Sequence, residues 1–285
     1  APLHNKAHVQ GIRACIEVFG KSVPEVVVFD TAFHSTMPPK AYMYPIPYEY
    51  YEKYAVRRYG FHGTSHKFVS HRVADKMGKD IKDLKIITCH LGNGSSIAAV
   101  DHGKVIDTSM GFTPLDGIIM GTRSGSVDPS AVEFVQNKLG FTPAQMSDYL
   151  NKKSGFLGLS GQFSDNRDIT SAAQQGDKRS QLVTDMLTYE IKKYIGSYTA
   201  AMNGLDVVIF TGGIGENAPE VRKGVCENME YLGIKLDNSV NDGLKGKLAK
   251  ISAPDSKVEV WVIPTNEELL IARDTLEITG LDKNA

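Results

Sequence analysis

The chain has 285 residues, a formal net charge of −1 at pH 7 and 41% hydrophobic residues. This length accommodates roughly two domains of about 100–200 residues each. The near-neutral charge argues against nucleic acid as a partner, and no apolar run approaches the ~18 residues that cross a bilayer, so no membrane partner is expected. Cys15, Cys89 and Cys226 are widely spaced without a CxxC pair, which is typical of free thiols in a reducing cytoplasm.

The first predicted element is a helix that Gly20 ends. Pro2 and Asn5 predict a loop before it, and the segment resembles the middle of a protein rather than a start. An apolar run from Glu25 to Phe29 then predicts a buried strand that leads to Asp30. A carboxylate in that place could bind Mg²⁺ through water, act as a base, or cap a helix.

The stretch RRYGFHGTSH, residues 57–66, contains two histidines four positions apart. On a helix, His62 and His66 could form a zinc pair. Gly63, and the lack of an intervening Glu or a clear third ligand, make a zinc site unfavoured.

The next apolar run, Leu84–Cys89, leads into the loop HLGNGSS, residues 90–96. A second strand (Ile97–Val100), a four-residue turn and a third short strand follow without a helix, which predicts a β-meander. Gly92 and Gly94 allow backbone N–H groups to approach a ligand closely, and the serines add donors. The loop could therefore hold a phosphate, or it could be an ordinary Asn-Gly hairpin turn.

Arg123 lies in the loop GTRSG, between Gly121 and Gly125. The fixed fork of a guanidinium suits a transferring phosphoryl group, although most arginines make surface salt bridges instead.

Helical patterns dominate the chain after residue 128. Asp128-Pro129 predicts a helix start and Gly140 its end, and Thr142 begins a capping box. Apolar residues at helical spacing between Leu182 and Met202 predict a long helix, which Asn203-Gly204 closes.

A second glycine loop, TGGIGEN, follows the predicted strand Asp206–Phe210. Asn217 and Glu220 have the spacing of a helix cap and its N3 partner, and amides at such a helix start suit a phosphate or the edge of a nucleotide. The loop matches neither a Rossmann fingerprint nor a Walker A motif, and a tight strand–helix turn is the alternative. A strand at Val258–Ile263 and a helix capped by TNEE complete an α/β pattern.

Six stretches, in this order, resemble the signature segments of the acetate kinase family: VFDTAFHSTMP, RRYGFHGTSH, HLGNGSS, DTSMGFTPLDGIIMGTRSGSVDP, FTGGIGENAPEVR and VIPTNEELLIARDT. The resemblance covers essentially the whole chain. It implies an α/β, two-domain actin-like ATPase fold (ribonuclease H-like) whose first domain is incomplete, because family members begin with a strand, a phosphate hairpin and a substrate arginine that would precede Ala1. It also implies that residues 1–33 and a C-terminal helix at 266–285 belong to the first domain, and that residues 34–265 form the second, which binds nucleotide and dimerises.

The resemblance assigns roles to individual positions. Asp30, His62 and Arg123 match catalytic residues, and Glu267 matches a magnesium ligand. The family more usually has Met at position 166. The positions that match nucleotide-binding residues are His90, Leu91, Gly92, Asn93, Gly94, Asp165, Asn166, Arg167, Gly213, Ile214, Gly215, Glu216 and Asn217.

The implied activity is the reversible, ATP-dependent phosphorylation of acetate to acetyl phosphate. The implied cofactors are ATP or ADP with Mg²⁺ or Mn²⁺, and the implied state is a cytoplasmic homodimer. Two alternatives stay open: a propionate or butyrate kinase, and a catalytically incomplete fragment that only binds nucleotide.

Such an acid is ionised at pH 7, so its attack requires no general base. The obstacle is repulsion between the carboxylate and the γ-phosphate, which predicts catalysis by positioning and charge neutralisation with direct in-line transfer. We therefore expect Asp30 to hold Mg²⁺ or water, Arg123 to hold the equatorial oxygens, and His62 to donate a hydrogen bond to them.

Overall fold

A computed structural model describes residues 2–281 of the chain, and one sheet of six strands lies at the centre of this part. The strands are β1 (Lys85–Leu91), β2 (Ser95–Asp101), β3 (Lys104–Thr108), β4 (Val207–Thr211), β5 (Ala249–Lys250) and β6 (Glu259–Val262). The helices are α1 (Pro2–Phe19), α2 (Pro39–Tyr42), α3 (Glu49–Tyr54), α4 (Gly63–Met77), α5 (Pro129–Leu139), α6 (Pro143–Lys152), α7 (Gly155–Ser160), α8 (Asn166–Gln174), α9 (Lys178–Met202), α10 (Gly212–Asn217), α11 (Pro219–Cys226), α12 (Asn238–Asn241) and α13 (Glu267–Thr279).

The strand order is β3-β2-β1-β4-β6-β5. The first three strands form the predicted meander, with antiparallel pairing throughout. β1 pairs in parallel with β4, and β4 in parallel with β6. The mixed α/β architecture predicted from the sequence is therefore confirmed.

Successive side chains of the central strands point to opposite faces of the sheet, so a hydrophobic core forms on each face. Val208 and Phe210 of β4 face the larger core, which contains one side of α9 and α11. Val207 and Ile209 face the smaller core, which contains Val69 and other residues of α4. The sheet is buried on both faces, as parallel strands require.

The helix ends follow the local signals in the sequence. The Asp128 side chain accepts a hydrogen bond from Ser130 N at the start of α5, and Gly140 ends that helix with a left-handed backbone. Thr142 and Gln145 form the complete capping box of α6. Asn203 closes α9. These predictions are confirmed because caps depend on contacts within a few residues.

The predicted strand at Glu25–Phe29 is wrong. The segment has no regular secondary structure and pairs with no strand among residues 2–281, and Val27 and Phe29 are 44% and 62% exposed. An apolar, β-branched run becomes a strand only where a neighbouring strand accepts its hydrogen bonds. The predicted loop at Pro2 and Asn5 is also wrong, because α1 already begins at Pro2.

The predicted cap at Asn217 and Glu220 is wrong as well. α10 begins at Gly212, directly after β4, and Asn217 is its last residue, with its amide donating to Gly213 O at 3.0 Å. The Glu220 carboxylate accepts from the Thr170 hydroxyl instead. The glycines allow the helix to start earlier than the cap pattern indicated.

At the C-terminus, α13 spans Glu267–Thr279, and residues 282–285 of the predicted helix lie outside the described residues. The predicted division into residues 1–33 with the last helix, and residues 34–265, stays a prediction. Within the described part, no helix has the length and apolar character of a membrane span.

We predict that Phe210→Ala lowers the free energy of unfolding by about 3–5 kcal/mol, because it leaves a cavity in the larger core. Phe210 is fully buried on β4. Phe134→Ala is the matched control, since this side chain on α5 is 62% exposed and its loss should change stability by less than about 0.5 kcal/mol. Urea unfolding of both variants measures the difference, and equal effects would contradict the assignment of the core.

Candidate active site

The two glycine loops lie side by side at the carboxyl ends of β1 and β4. His90 pairs in register with Thr211 across these parallel strands. A methyl group added at Gly92 would lie 3.9 Å from Gly213 N, so the loop backbones nearly touch. Ligands of open α/β sheets bind at this edge, outside the carboxyl ends of the strands.

Both loops line one side of a cleft of about 780 Å³, here called the glycine-loop cleft. The start of α8 forms its other side. The predicted nucleotide-binding residues that line it are Gly92, Asn93, Asp165, Asn166, Arg167, Gly213, Ile214 and Asn217. Asp165 caps α8 and also pairs with the exposed guanidinium of Arg167 at 2.6 Å. The structure therefore brings three distant sequence segments to one cavity.

The other predicted nucleotide-binding residues do not line this cleft. Leu91 is buried in the core, and Gly215 lies against the backbone of Phe210. The Glu216 carboxylate accepts hydrogen bonds from Gly212 N at 2.9 Å and Thr265 N at 3.1 Å. Glu216 thus fixes the end of β4 to the segment before α13.

A second cavity of about 710 Å³, here called the Arg123 pocket, contains Asp30, His62 and Arg123. Gly94 follows Asn93, a residue of the glycine-loop cleft, and approaches two side chains of the Arg123 pocket. A methyl group at Gly94 would lie 3.1 Å from Arg123 Nη1 and 3.5 Å from His62 Nε2, so both side chains reach the same point of the loop. A phosphoryl group held at Gly94 would therefore meet two donors from the other cavity.

Asp30 and His62 are held together through the backbone. The Asp30 carboxylate accepts from His62 N at 2.8 Å, and its carbonyl accepts from Gly63 N at 2.8 Å. A Cβ at Gly63 would lie 2.3 Å from the Asp30 carbonyl oxygen, so only glycine fits there. His62 itself has a left-handed backbone (φ 58°), which the two contacts stabilise.

His62 also packs against His90 of β1. The rings stack with centroids 4.2 Å apart, and His90 Nδ1 lies 2.8 Å from the Ser65 hydroxyl. Ser65 in turn contacts the Thr265 hydroxyl at 2.8 Å, which joins α4, β1 and the segment before α13.

The histidines of this site are neutral at pH 7. Burial lowers the pKa of His62 to about 4, and the positive charge of Arg123 contributes to the shift. Burial likewise lowers the pKa of His90 to about 3 and that of His66 well below its usual range. Each ring therefore carries one N–H, and Arg123 supplies the cationic charge.

Arg123 is half-buried, and none of the described carboxylates lies within ion-pair distance of it. Its Nη1 has only long contacts, 3.5 Å to Pro114 O and 4.0 Å to Met120 S. A partly desolvated guanidinium without a counter-charge attracts an anion.

Glu267 and Asp30 supply negative charge nearby. Burial raises the pKa of Glu267, and the charge of Asp30 raises it further. Mg²⁺ is usually bound by one or two carboxylates together with waters and substrate phosphates, so this pair fits Mg²⁺ beside a phosphate loop. Among the described side chains, no group of three or more His, Cys, Asp or Glu could hold a metal by itself.

The sequence did not identify a buried hydrogen-bonded chain behind His62, here called the His62 relay. Its members are His62, Ser96, His66 and Thr88, joined by contacts of 2.9, 2.7 and 2.6 Å. Both ring nitrogens of His66 are occupied by these contacts. The sequence did contain a signal for this relay. Thr88 and Ser96 are polar residues within otherwise apolar strands, where a buried side chain requires a hydrogen-bond partner.

The sequence also did not identify Arg222 as a support of the second glycine loop. This fully buried guanidinium donates to the carbonyls of Gly215 and Glu216 at 3.0 and 3.1 Å, at the end of α10. It also donates to Asn241 Oδ1 at 2.8 Å and to Leu244 O at 2.8 Å. Arg222 therefore connects α10 to the loop that carries Lys245, another residue of the glycine-loop cleft.

Comparison with known proteins agrees with this geometry. The Acetokinase family pattern matches residues 1–273. The acetate kinase of Carboxydothermus hydrogenoformans is 59% identical over 98% of this chain, which spans 69% of that protein. The crystal structure of Porphyromonas gingivalis acetate kinase has a TM-score of 0.95 and 50% identity, with 98% of this chain and 69% of that one covered. A propionate kinase from Francisella tularensis has a TM-score of 0.88 and 45% identity, with 95% and 68% covered.

The fold and these matches define a phosphotransferase of the actin-like ATPase class. The chain belongs to the acetokinase family.

We predict that acid destabilises the fold through its buried histidines. The pKa values of His34, His62 and His90 are about 4, 4 and 3, against 6.5 in an unfolded chain. Between about pH 6.5 and 4 the unfolded chain binds more protons, so the free energy of unfolding falls as pH falls through this window. Since His66 contributes in the same way, urea unfolding between pH 5 and 6 should show that the unfolded chain binds about three to four more protons than the folded one.

The variant His34→Leu is the control for this assignment. His34 is fully buried, and neither ring nitrogen has a hydrogen-bond partner among the described residues. Its removal should lower the proton difference by about one. A proton difference near zero in the unmodified protein would contradict the burial of neutral histidines.

Proposed function

We propose that this protein transfers the γ-phosphoryl group of ATP to acetate, reversibly, giving acetyl phosphate and ADP. The observation that carries the proposal is that Gly94, which follows Asn93 of the glycine-loop cleft, lies against Arg123 and His62 of the Arg123 pocket. A nucleotide in the cleft would direct its terminal phosphate to Gly94, and a carboxylate in the pocket would approach from the opposite side. Close relatives that are acetate kinases favour acetate over propionate or butyrate.

The charges of the site support direct transfer. Acetate arrives as an anion, so no residue needs to remove a proton from it. Arg123 offsets the repulsion between the carboxylate and the phosphoryl group and aligns the equatorial oxygens. The neutral His62 ring stabilises the same oxygens by donating a hydrogen bond.

Asp30 and Glu267 are the residues that would hold Mg²⁺. Bound there, Mg²⁺ would neutralise phosphate charge and align the leaving and attacking groups. Asp30 has a second function, because its carboxylate orients the His62 backbone. Asp165, Asn166 and Arg167 at the start of α8 would contact the ribose and base.

A cytoplasmic homodimer is part of the proposal. The free thiols Cys15, Cys89 and Cys226 suit a reducing compartment. An aromatic surface around α3 supports a contact between two copies, since Tyr48 and Tyr54 are 61% and 67% exposed. Exposed clusters of large aromatic side chains are typical of protein–protein interfaces.

We predict that the chain, given MgATP and acetate, forms an acyl phosphate that hydroxylamine traps as a hydroxamate. Acetate should give the highest kcat/KM, ahead of propionate and butyrate. Arg123→Gln should lower kcat by about 10²–10³-fold, because a donor to the transition state is lost, while ADP affinity measured by calorimetry changes little.

Arg72→Gln is the matched control, because Arg72 is exposed on α4 and lines neither cavity. It should keep full activity. Binding of ADP without any hydroxamate would contradict the proposal and identify a nucleotide-binding protein without catalysis.

We predict that Asp30→Asn raises the Mg²⁺ concentration required for half-maximal activity by about tenfold or more, because a charged ligand becomes a weaker, neutral one. The amide oxygen can still accept from His62 N, so the local backbone should persist. Asp75→Asn, an exposed change on α4, is the control. A lower rate with unchanged Mg²⁺ dependence would contradict the role of Asp30 in metal binding.

We predict that the double variant Tyr48→Ser, Tyr54→Ser is monomeric where the unmodified chain sediments as a dimer. Two aromatic side chains that a partner copy would cover are lost, and with them the anchors of such an interface. Tyr231→Ser is the control, because this side chain is 75% exposed elsewhere on the surface. Sedimentation of all three as dimers would exclude this surface.

A further inference from the structure

The His62 relay runs from the Arg123 pocket into the sheet. His62 Nδ1 contacts Ser96 Oγ, Ser96 Oγ contacts His66 Nε2, and His66 Nδ1 contacts Thr88 Oγ1. Ser96, His66 and Thr88 are fully buried. Outside the relay, the remaining contact of its inner end is a long one, 3.5 Å from Thr88 Oγ1 to Ala98 O.

Neutral imidazoles impose one direction on the protons of such a relay. Each ring has one N–H and one bare nitrogen, and each hydroxyl has one proton. If both rings presented a bare nitrogen to Ser96, its one proton could satisfy only one of them. If both presented an N–H, the Ser96 oxygen could accept from both, but the buried Ser96 hydroxyl would have no acceptor of its own. Two arrangements therefore satisfy every short contact and the Ser96 hydroxyl as well: His62 and His66 both carry the proton on Nδ1, or both carry it on Nε2.

The inner end of the relay favours the second arrangement. With protons on Nδ1, the buried Thr88 hydroxyl could donate only to Ala98 O at 3.5 Å, outside the normal O–H···O range. With protons on Nε2, that hydroxyl donates to His66 Nδ1 at 2.6 Å, and each buried donor of the relay is satisfied. A buried donor without a partner is the costlier defect, so protons on Nε2 are more stable.

The outer end of the relay faces the reacting groups. His62 Nε2 lies beside Gly94 and Arg123 Nη1. The groups that face His62 are Arg123, the neutral rings of His34, His66 and His90, and the Asp30 carboxylate at the backbone. Arg123 opposes a second proton on the ring, so the position of its single proton decides whether His62 can donate into the pocket.

We propose that Ser96 and His66 are positioning residues that keep the proton of His62 on Nε2, where it donates to the transferring phosphoryl group. This inference rests on the proposed phosphoryl transfer for its catalytic meaning. The proton arrangement itself follows from the contacts of the relay and can be measured without turnover.

The first experiment is a long-range ¹H–¹⁵N NMR correlation of the full chain labelled with ¹⁵N-histidine, at pH 7 without ligands. The spectrum distinguishes protonated from bare ring nitrogens, and the variants His62→Gln and His66→Gln assign the signals. We expect both rings to have a bare Nδ1 and a protonated Nε2. Protons on Nδ1, or on different nitrogens in the two rings, would overturn the proposal.

The second experiment separates positioning from simple support of the fold. Ser96→Ala should lower kcat about tenfold, less than the loss of a direct donor, and should leave both KM values within about twofold. Ser70→Ala is the matched control: Ser70 is also fully buried on α4, but it donates to Lys67 O and is outside the relay. An equal fall in both serine variants would overturn the proposal.

Conservative rescue gives a third, independent result. His66→Gln retains a side-chain N–H that can donate to Ser96, so it should keep most of kcat, whereas His66→Leu should fall as far as Ser96→Ala. Equal activity of the two His66 variants would show that His66 only fills space. If no acyl phosphate forms but the NMR arrangement is as expected, the proposed function fails and the proton arrangement stands.

Discussion

The parallel pairing of β1 with β4 is the constraint on which the rest of the site depends. Because the two strands run in the same direction and pair up to His90 and Thr211, both loops leave the sheet at one edge. A Cβ at Gly92 would then lie within van der Waals range of Gly213 N, and the backbones of two distant segments line one cavity. An antiparallel pair would have placed the loops at opposite ends of the sheet.

Charge is distributed unevenly around this edge. The histidines at positions 34, 62, 66 and 90 lie in surroundings that keep them neutral, and Arg123 is the cation nearest to Gly94 in the Arg123 pocket. In a partly desolvated site, a single guanidinium interacts with an anion more strongly than it would in water. Neutral rings can donate hydrogen bonds without adding charge that would repel Arg123, so hydrogen bonding and charge neutralisation are assigned to different residues.

Local patterns predicted much of the fold. The strands near residues 84, 206 and 258 and the ends of α5, α6 and α9 depend on alternation, capping side chains and glycine, which act within a few residues. The prediction failed at Glu25–Phe29, where the outcome depended on whether another strand was available. It failed again at Asn217, where glycines allowed α10 to begin at Gly212, six residues before the helix start that a cap at Asn217 implies.

The sequence by itself determined the residue types of the site, its two glycine loops and the family to which the chain belongs, because these are recorded in short contiguous stretches. Only the tertiary structure decided which of those residues meet. Ser65 and Thr265, 200 positions apart, share a hydrogen bond, and the relay joins α4 to two strands. Such contacts depend on strand order and on the face to which each side chain points, which the folded sheet fixes and no local pattern encodes.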